Sequence, residues 1–172
     1  IFNYLPTYLS KSLNFAASTS FIITSIGLAM LCLSIPFAGM AADKLGRRKV
    51  LLSSALLMAL LTYPAYLLMQ NGSIAWAIGG IILLAVLFSG QAGVIHTSLL
   101  ELFPVSVRTT GYSFGYNIGL AIFGGAGPLI VTSIIASTGN QDVPAYYVIG
   151  AALCTFLSAL VITESKARSL HD

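Results

Sequence analysis

Gly111, Ser113 and Gly115 stand at G-x-S-x-G spacing, the arrangement that presents a serine nucleophile at a sharp strand-to-helix turn. Such a serine needs an acid and a histidine further along, and the only downstream histidine is His171, in the tail. The pattern also opens a long apolar run, so it predicts the start of a membrane helix and no catalytic residue. His96 is the only ionisable group other than tyrosine or cysteine inside an apolar run, and it falls about one helical turn from the end of its run. It predicts either a functional group or a side chain that reaches the interface or a neighbouring carbonyl. Gln91 and Asn117 are amides placed deeper, and each needs a polar partner. Together with Asn3, Tyr4, Tyr8 and Tyr116 they form a set that could face a water-filled cavity; helix-to-helix hydrogen bonding is the alternative. The acids Asp43, Glu101, Asp142, Glu164 and Asp172 all lie at the ends of apolar runs or between them. No metal-ligand cluster and no cofactor motif is present in this pattern.

The elements that would position these groups follow from composition. Hydrophobic residues make up 57% of the 172 and charged residues 8%, against about 25% charged in soluble domains. The mean hydropathy is +0.92. Uncharged runs reach the ~18 residues or more that a helix needs to cross ~30 Å of hydrocarbon. The fold class is therefore an all-α membrane protein, and the lipid bilayer is its first partner. The net charge of +3 reads as a topology signal, with no nucleic-acid partner expected. Cys32 and Cys154 sit in apolar runs and read as small packing residues.

Spans are expected at about 1–10, 18–40, 50–69, 74–99, 112–137 and 145–163, the first only the end of a helix. The chain begins at Ile1 within that helix, without a methionine or a signal peptide, and is expected to be a fragment. Lys44, Arg47, Arg48, Lys49, Arg108, Lys166 and Arg168 fall at alternate ends of the spans, hence on one side, and only Lys11 on the other. The excess of positive charge makes that side, and the C-terminus, cytoplasmic. Trp76, Tyr146 and Tyr147 fall near the outer boundary, where aromatic belts form.

Two features single out the 112–137 span. Gly111, Gly115 and Gly119 recur every fourth residue on one helix face, which predicts close helix packing. Gly124, Gly125, Gly127 and Pro128 cluster near the bilayer midplane, which predicts a hinge or a static kink.

The charged connection at 39–49 carries the strongest signal. Gly39, Asp43, Lys44, Gly46, Arg48 and Lys49 fit the pattern G-x-x-x-D-[RK]-x-G-x-[RK]-[RK] at every defined position. This resembles the signature of the major facilitator superfamily. The run Glu101-Leu102-Phe103-Pro104, followed by Arg108 and Gly111, is similar to that family's loop between spans 10 and 11. Residues 3–10 and 144–165 are similar to spans 7 and 12 of the metabolite:proton symporter branch. The resemblance covers essentially the whole chain. It implies the C-terminal half of a transporter built from two six-span halves, with the N-terminal half as an absent partner.

The resemblance further implies proton-coupled symport of a small organic solute, such as proline or glycine betaine, across a bacterial inner membrane by alternating access. The signature would act as a cytoplasmic gate, with Asp43 pairing to basic residues or to a helix end, and Glu101 and Arg108 in the neighbouring loop. The cavity candidates on this reading are Asn3, Tyr4, Tyr8, Gln91, Tyr116 and Asn117. A carboxylate that titrates with transport would lie in the other half, since none sits mid-span here. A dicarboxylate such as α-ketoglutarate or citrate is the alternative cargo, and it would want an arginine or lysine at membrane depth, which this chain lacks. A quaternary ammonium wants aromatic faces, which Tyr4, Tyr8, Tyr112, Phe114 and Tyr116 could supply. The rival class is a non-transporting membrane scaffold or a membrane enzyme.

Overall fold

The computed structural model describes residues 2–101 and 103–161. The tail acids and bases Glu164, Lys166, Arg168 and Asp172, and the end of the expected last span, lie outside the described residues, as does the side chain of Glu101. The chain folds into α1 (Leu5–Lys11), α2 (Ala17–Leu45), α3 (Arg47–Gln70), α4 (Ile74–Glu101), α5 (Arg108–Gly119), a π segment (Leu120–Gly125), α6 (Gly127–Thr138) and α7 (Val143–Val161). No strand occurs among the described residues. Five stretches are long and apolar enough to cross a membrane, with α5, the π segment and α6 counted together as one.

The helices outrun the expected spans at the charged ends. Residues 39–49, expected as a loop, are helical but for Gly46, which ends α2 and precedes α3 directly. Lysine, arginine and aspartate tolerate helical backbone, so charge marks where the chain meets water but does not stop the helix. Gly46 does stop it: at φ 98° and ψ 136° it takes a conformation that side chains with a Cβ rarely adopt.

α4 is the central helix. Half of its apolar window is buried, against 11% for the α5–α6 stretch and 17% for α2. It packs against α2 and α3, and α7 packs on the other side of α3. The core is built from Leu5, Tyr8, Ile23, Met58, Tyr66, Ile81 and Leu84. Close approach of α4 to its neighbours depends on small residues: a Cβ on Gly80 would lie 2.6 Å from the Ala65 carbonyl oxygen, and one on Gly90 2.6 Å from Ser54 Cβ. A Cβ on Gly27 of α2 would meet Ile81 Cγ2, also at 2.6 Å.

The small-residue seam is thus not where the four-residue spacing pointed. Cβ atoms at Gly115 and Gly119 would meet open space, and Gly111 abuts only the ring of Phe103. None of the α5 residues is buried. Cys32 and Cys154 are likewise exposed and pack against no core. Both corrections share one cause: in a membrane helix an apolar run does not say which of its faces is inside.

Candidate functional site

The π segment is the local departure from regular structure. Over Leu120–Gly125 the helix widens, so its carbonyls lose the usual α-helical register. The Tyr147 hydroxyl of α7 donates to the Phe123 carbonyl oxygen at 3.0 Å. Gly127 is buried beneath the same tyrosine, where a Cβ would come within 3.1 Å of its hydroxyl oxygen. Pro128 sits in the first turn of α6, where its missing N–H removes no helical bond, and the helix restarts there. Two glycines and a proline beside a π turn therefore break the span into α5 and α6.

This break forms one wall of a cavity of about 260 Å³. Phe123, Gly124, Gly127 and Pro128 line it from the broken span, Asn3 and Tyr4 from the stretch before α1, Tyr66 from α3, Phe88 from α4 and Tyr147 from α7. Phe2 also lines it and packs on Phe88, with ring centroids 6.2 Å apart. No charged side chain is part of the wall. Aromatic faces attract cations, and the Asn3 amide and tyrosine hydroxyls can donate and accept hydrogen bonds. The volume sits just below the range of drug-sized pockets, which begins at about 300 Å³.

Of the six cavity candidates, the structure places Asn3 and Tyr4 on this wall. Tyr8 is fully buried in the core, edge-on to Tyr66 at 5.2 Å. Its hydroxyl accepts from Gln70 Nε2 at 3.2 Å, and the same amide donates to Asp142 Oδ1 at 2.6 Å. This bond set joins α1, α3 and the start of α7 at the end of the bundle away from the charged 39–49 stretch. Gln91 is buried, and its Nε2 has no hydrogen-bond partner among the described residues. Asn117 Nδ2 donates to the Ser113 carbonyl one turn back, so that amide is occupied within α5. Tyr116 stacks on Tyr112 with centroids 5.6 Å apart, and His96 lies against both. Of the expected hinge, Gly124, Gly127 and Pro128 line the cavity, while Gly125 is exposed and does not.

Residue-type reasoning passed over Phe2, Tyr66, Phe88, Phe123 and Tyr147, because large aromatics in apolar runs read as core or lipid-facing groups. Depth was the available signal: Tyr66 lies one turn from the end of α3 and Tyr147 one turn from the start of α7.

At the opposite end, Arg48 reaches from the first turn of α3 to the last described turn of α7. Its Nε donates to the Ala159 carbonyl at 3.2 Å and its Nη2 to the Leu160 carbonyl at 2.7 Å. A guanidinium there ties the start of α3 to backbone carbonyls in the last described turn of α7. Asp43, expected to make a contact of this kind, is exposed on the last turn of α2 with no ion pair to a described residue. Lys44 and Lys49 are exposed, and a Cβ on Gly39 would meet open space. Arg108 Nε donates to the Phe103 carbonyl at 3.3 Å, which closes the turn into α5. An Arg48→Ala change is expected to destabilise the bundle by about 1–2 kcal/mol, with Arg48→Lys in between, read as a drop in thermal midpoint in detergent.

The helices and their broken span define an integral membrane protein with a small aromatic cavity inside its helix bundle. The family described as sugar (and other) transporter matches residues 1–172, and the chain belongs to that family, within the major facilitator superfamily. Among curated relatives, the chain is 29% identical over 168 residues to the ectoine/proline transporter ProP of Corynebacterium glutamicum, covering 98% of this chain and 33% of that protein. It is 30% identical over 169 residues to the citrate-proton symporter of Klebsiella pneumoniae, covering 98% of this chain and 38% of the relative. It is 33% identical over 166 residues to the citrate-proton symporter of Salmonella typhi, covering 96% and 38%. The chain thus spans little more than a third of the length of these relatives. No solved structure gives a significant match.

Proposed function

We propose that this chain is the C-terminal six-span half of a secondary transporter that moves a small zwitterionic solute, of the proline or glycine-betaine kind, together with a proton across a bacterial inner membrane. Its C-terminus faces the cytoplasm, on the side where Lys44, Arg47, Arg48, Lys49 and Arg108 gather. The protein transports and does not catalyse. The observation that carries this reading is the uncharged aromatic cavity set against the broken span. A helix broken at a solute-sized cavity has a soft point at which it can bend, a feature it shares with the discontinuous helices of secondary transporters. Gly124, Gly127 and Pro128 are the hinge, and the Tyr147 bond to the Phe123 carbonyl holds it in the conformation described here.

The exposed apolar faces of α2 and α5–α6, with Phe37 67% exposed and Phe114 70%, support an N-terminal half or lipid covering them in the complete protein. The signature holds the cytoplasmic ends together through Arg48, and Asp43 is left for a partner in the other half. The aromatic rings suit the onium group of the solute, and the Asn3 amide with the Tyr4 hydroxyl suits its carboxylate.

The similarity to citrate-proton symporters favours a second reading, a tricarboxylate cargo. A tricarboxylate needs cations in its site, which here would have to come from the other half. Competition decides between the two. Cells expressing the full-length protein are expected to take up labelled glycine betaine, with unlabelled proline or ectoine competing and citrate not. Competition by citrate alone would overturn the solute class.

A further inference from the structure

In the spans described here, His96 is the only side chain of the Asp, Glu, His, Lys and Arg kinds that lies away from the helix ends. It is exposed on α4, and its Nδ1 lies 2.7 Å from the Tyr112 hydroxyl oxygen. The Tyr116 ring centroid is 5.2 Å away and the Tyr112 centroid 6.2 Å, and the two tyrosines are stacked at 17° to each other. Both belong to α5, which runs straight into the π segment. Near this end of α4, Gly93 approaches Ile35 and Ala38 of α2, and Val94 packs with Ala42 and Val50. The nearest charged residue on α5, Arg108, is turned to the Phe103 carbonyl. The imidazole is therefore held against α5 through Tyr112 and Tyr116.

We propose that His96 binds the transported proton and that Tyr112 and Tyr116 convert its charge into a pull on α5. Neutral His96 carries one ring hydrogen, and its bond to Tyr112 exists in either tautomer. On taking up a proton from water both ring nitrogens become donors, the Tyr112 oxygen becomes the acceptor, and the cation lies against two aromatic rings. Release of that proton to water on the other side restores the neutral ring and loosens α5. Because α5 leads into the break at the cavity wall, charge at His96 and the conformation of the solute site share one element. This assignment rests on the proton-coupled reading above, and it places the proton in this half, where the sequence shows no mid-span carboxylate.

The test uses the full-length protein in proteoliposomes. The wild type should accumulate labelled betaine under an imposed pH gradient and also exchange it at equilibrium without a gradient. His96→Gln, which keeps a hydrogen bond to Tyr112 but cannot be protonated, should lose gradient-driven accumulation by about tenfold or more while exchange stays within about twofold. Accumulation that persists in His96→Gln, or exchange lost in step with it, overturns the assignment. Tyr112→Phe keeps the ring and removes the bond; it should lower gradient-driven accumulation more than exchange, and an equal effect on the two also counts against the proposal. A wild type that exchanges solute but ignores the pH gradient would instead defeat the proton-coupled reading itself.

Discussion

A Gly80→Val variant is expected to unfold well below the temperature of the parent, whereas Gly115→Val should not. At position 80 the first added carbon would stand 2.6 Å from the Ala65 carbonyl oxygen and 2.8 Å from Met69 Cγ. Met69 is flexible and can move aside. The carbonyl belongs to the backbone of α3 and cannot, so α3 and α4 must separate along the seam that buries Met58, Tyr66 and Leu84. Overpacking of this kind costs about 1–3 kcal/mol, and valine adds two methyl groups to the clash. At position 115 the same carbon meets nothing within 4 Å. Thermal unfolding of the two variants in detergent reads the difference. Equal midpoints would mean that the α3–α4 seam is not as close as described.

The second large effect is expected at the cavity. Tyr4→Leu keeps an apolar group on the wall and removes the π face. A desolvated cation over an aromatic ring is worth about 2 kcal/mol, so the KM for glycine betaine should rise about thirtyfold with kcat less affected. Tyr147→Phe is the contrasting change: it keeps the ring and removes the bond to the Phe123 carbonyl. It should alter kcat more than KM, because it frees the broken span without changing the face offered to the solute. A Tyr4→Leu protein with unaltered KM would place the solute elsewhere.

Much of the bundle was legible in the sequence, and the reasons are physical. Uncharged runs the length of a bilayer crossing mark helices whatever their faces do, and five such stretches are present among the described residues. The charged stretch at 39–49 marked the membrane boundary but concealed that α2 and α3 run through it up to Gly46. Periodicity failed for Gly111, Gly115 and Gly119, since regular spacing shows a shared face and not what that face meets. Gly27, Gly80 and Gly90, which have no such spacing between them, hold the helices together. Polarity was a partial guide to the site. Asn3 and Tyr4 line the cavity, yet most of its wall is apolar, and Asn117 donates to a carbonyl within α5. Gly124, Gly127 and Pro128 were conspicuous in the sequence because residues that weaken a helix inside an apolar run stand out against it. The partner of Arg48 lies in α7, over a hundred residues away, and no local pattern could reveal it.

The central claim is that solute movement through this protein is driven by protons. It is tested most directly by uptake of labelled glycine betaine into cells expressing the full-length protein, with and without an uncoupler that collapses the proton gradient. Uptake that is present and falls to background with the uncoupler is the result predicted here. Uptake that continues undiminished would contradict it, leaving a family member whose cargo moves without the proton.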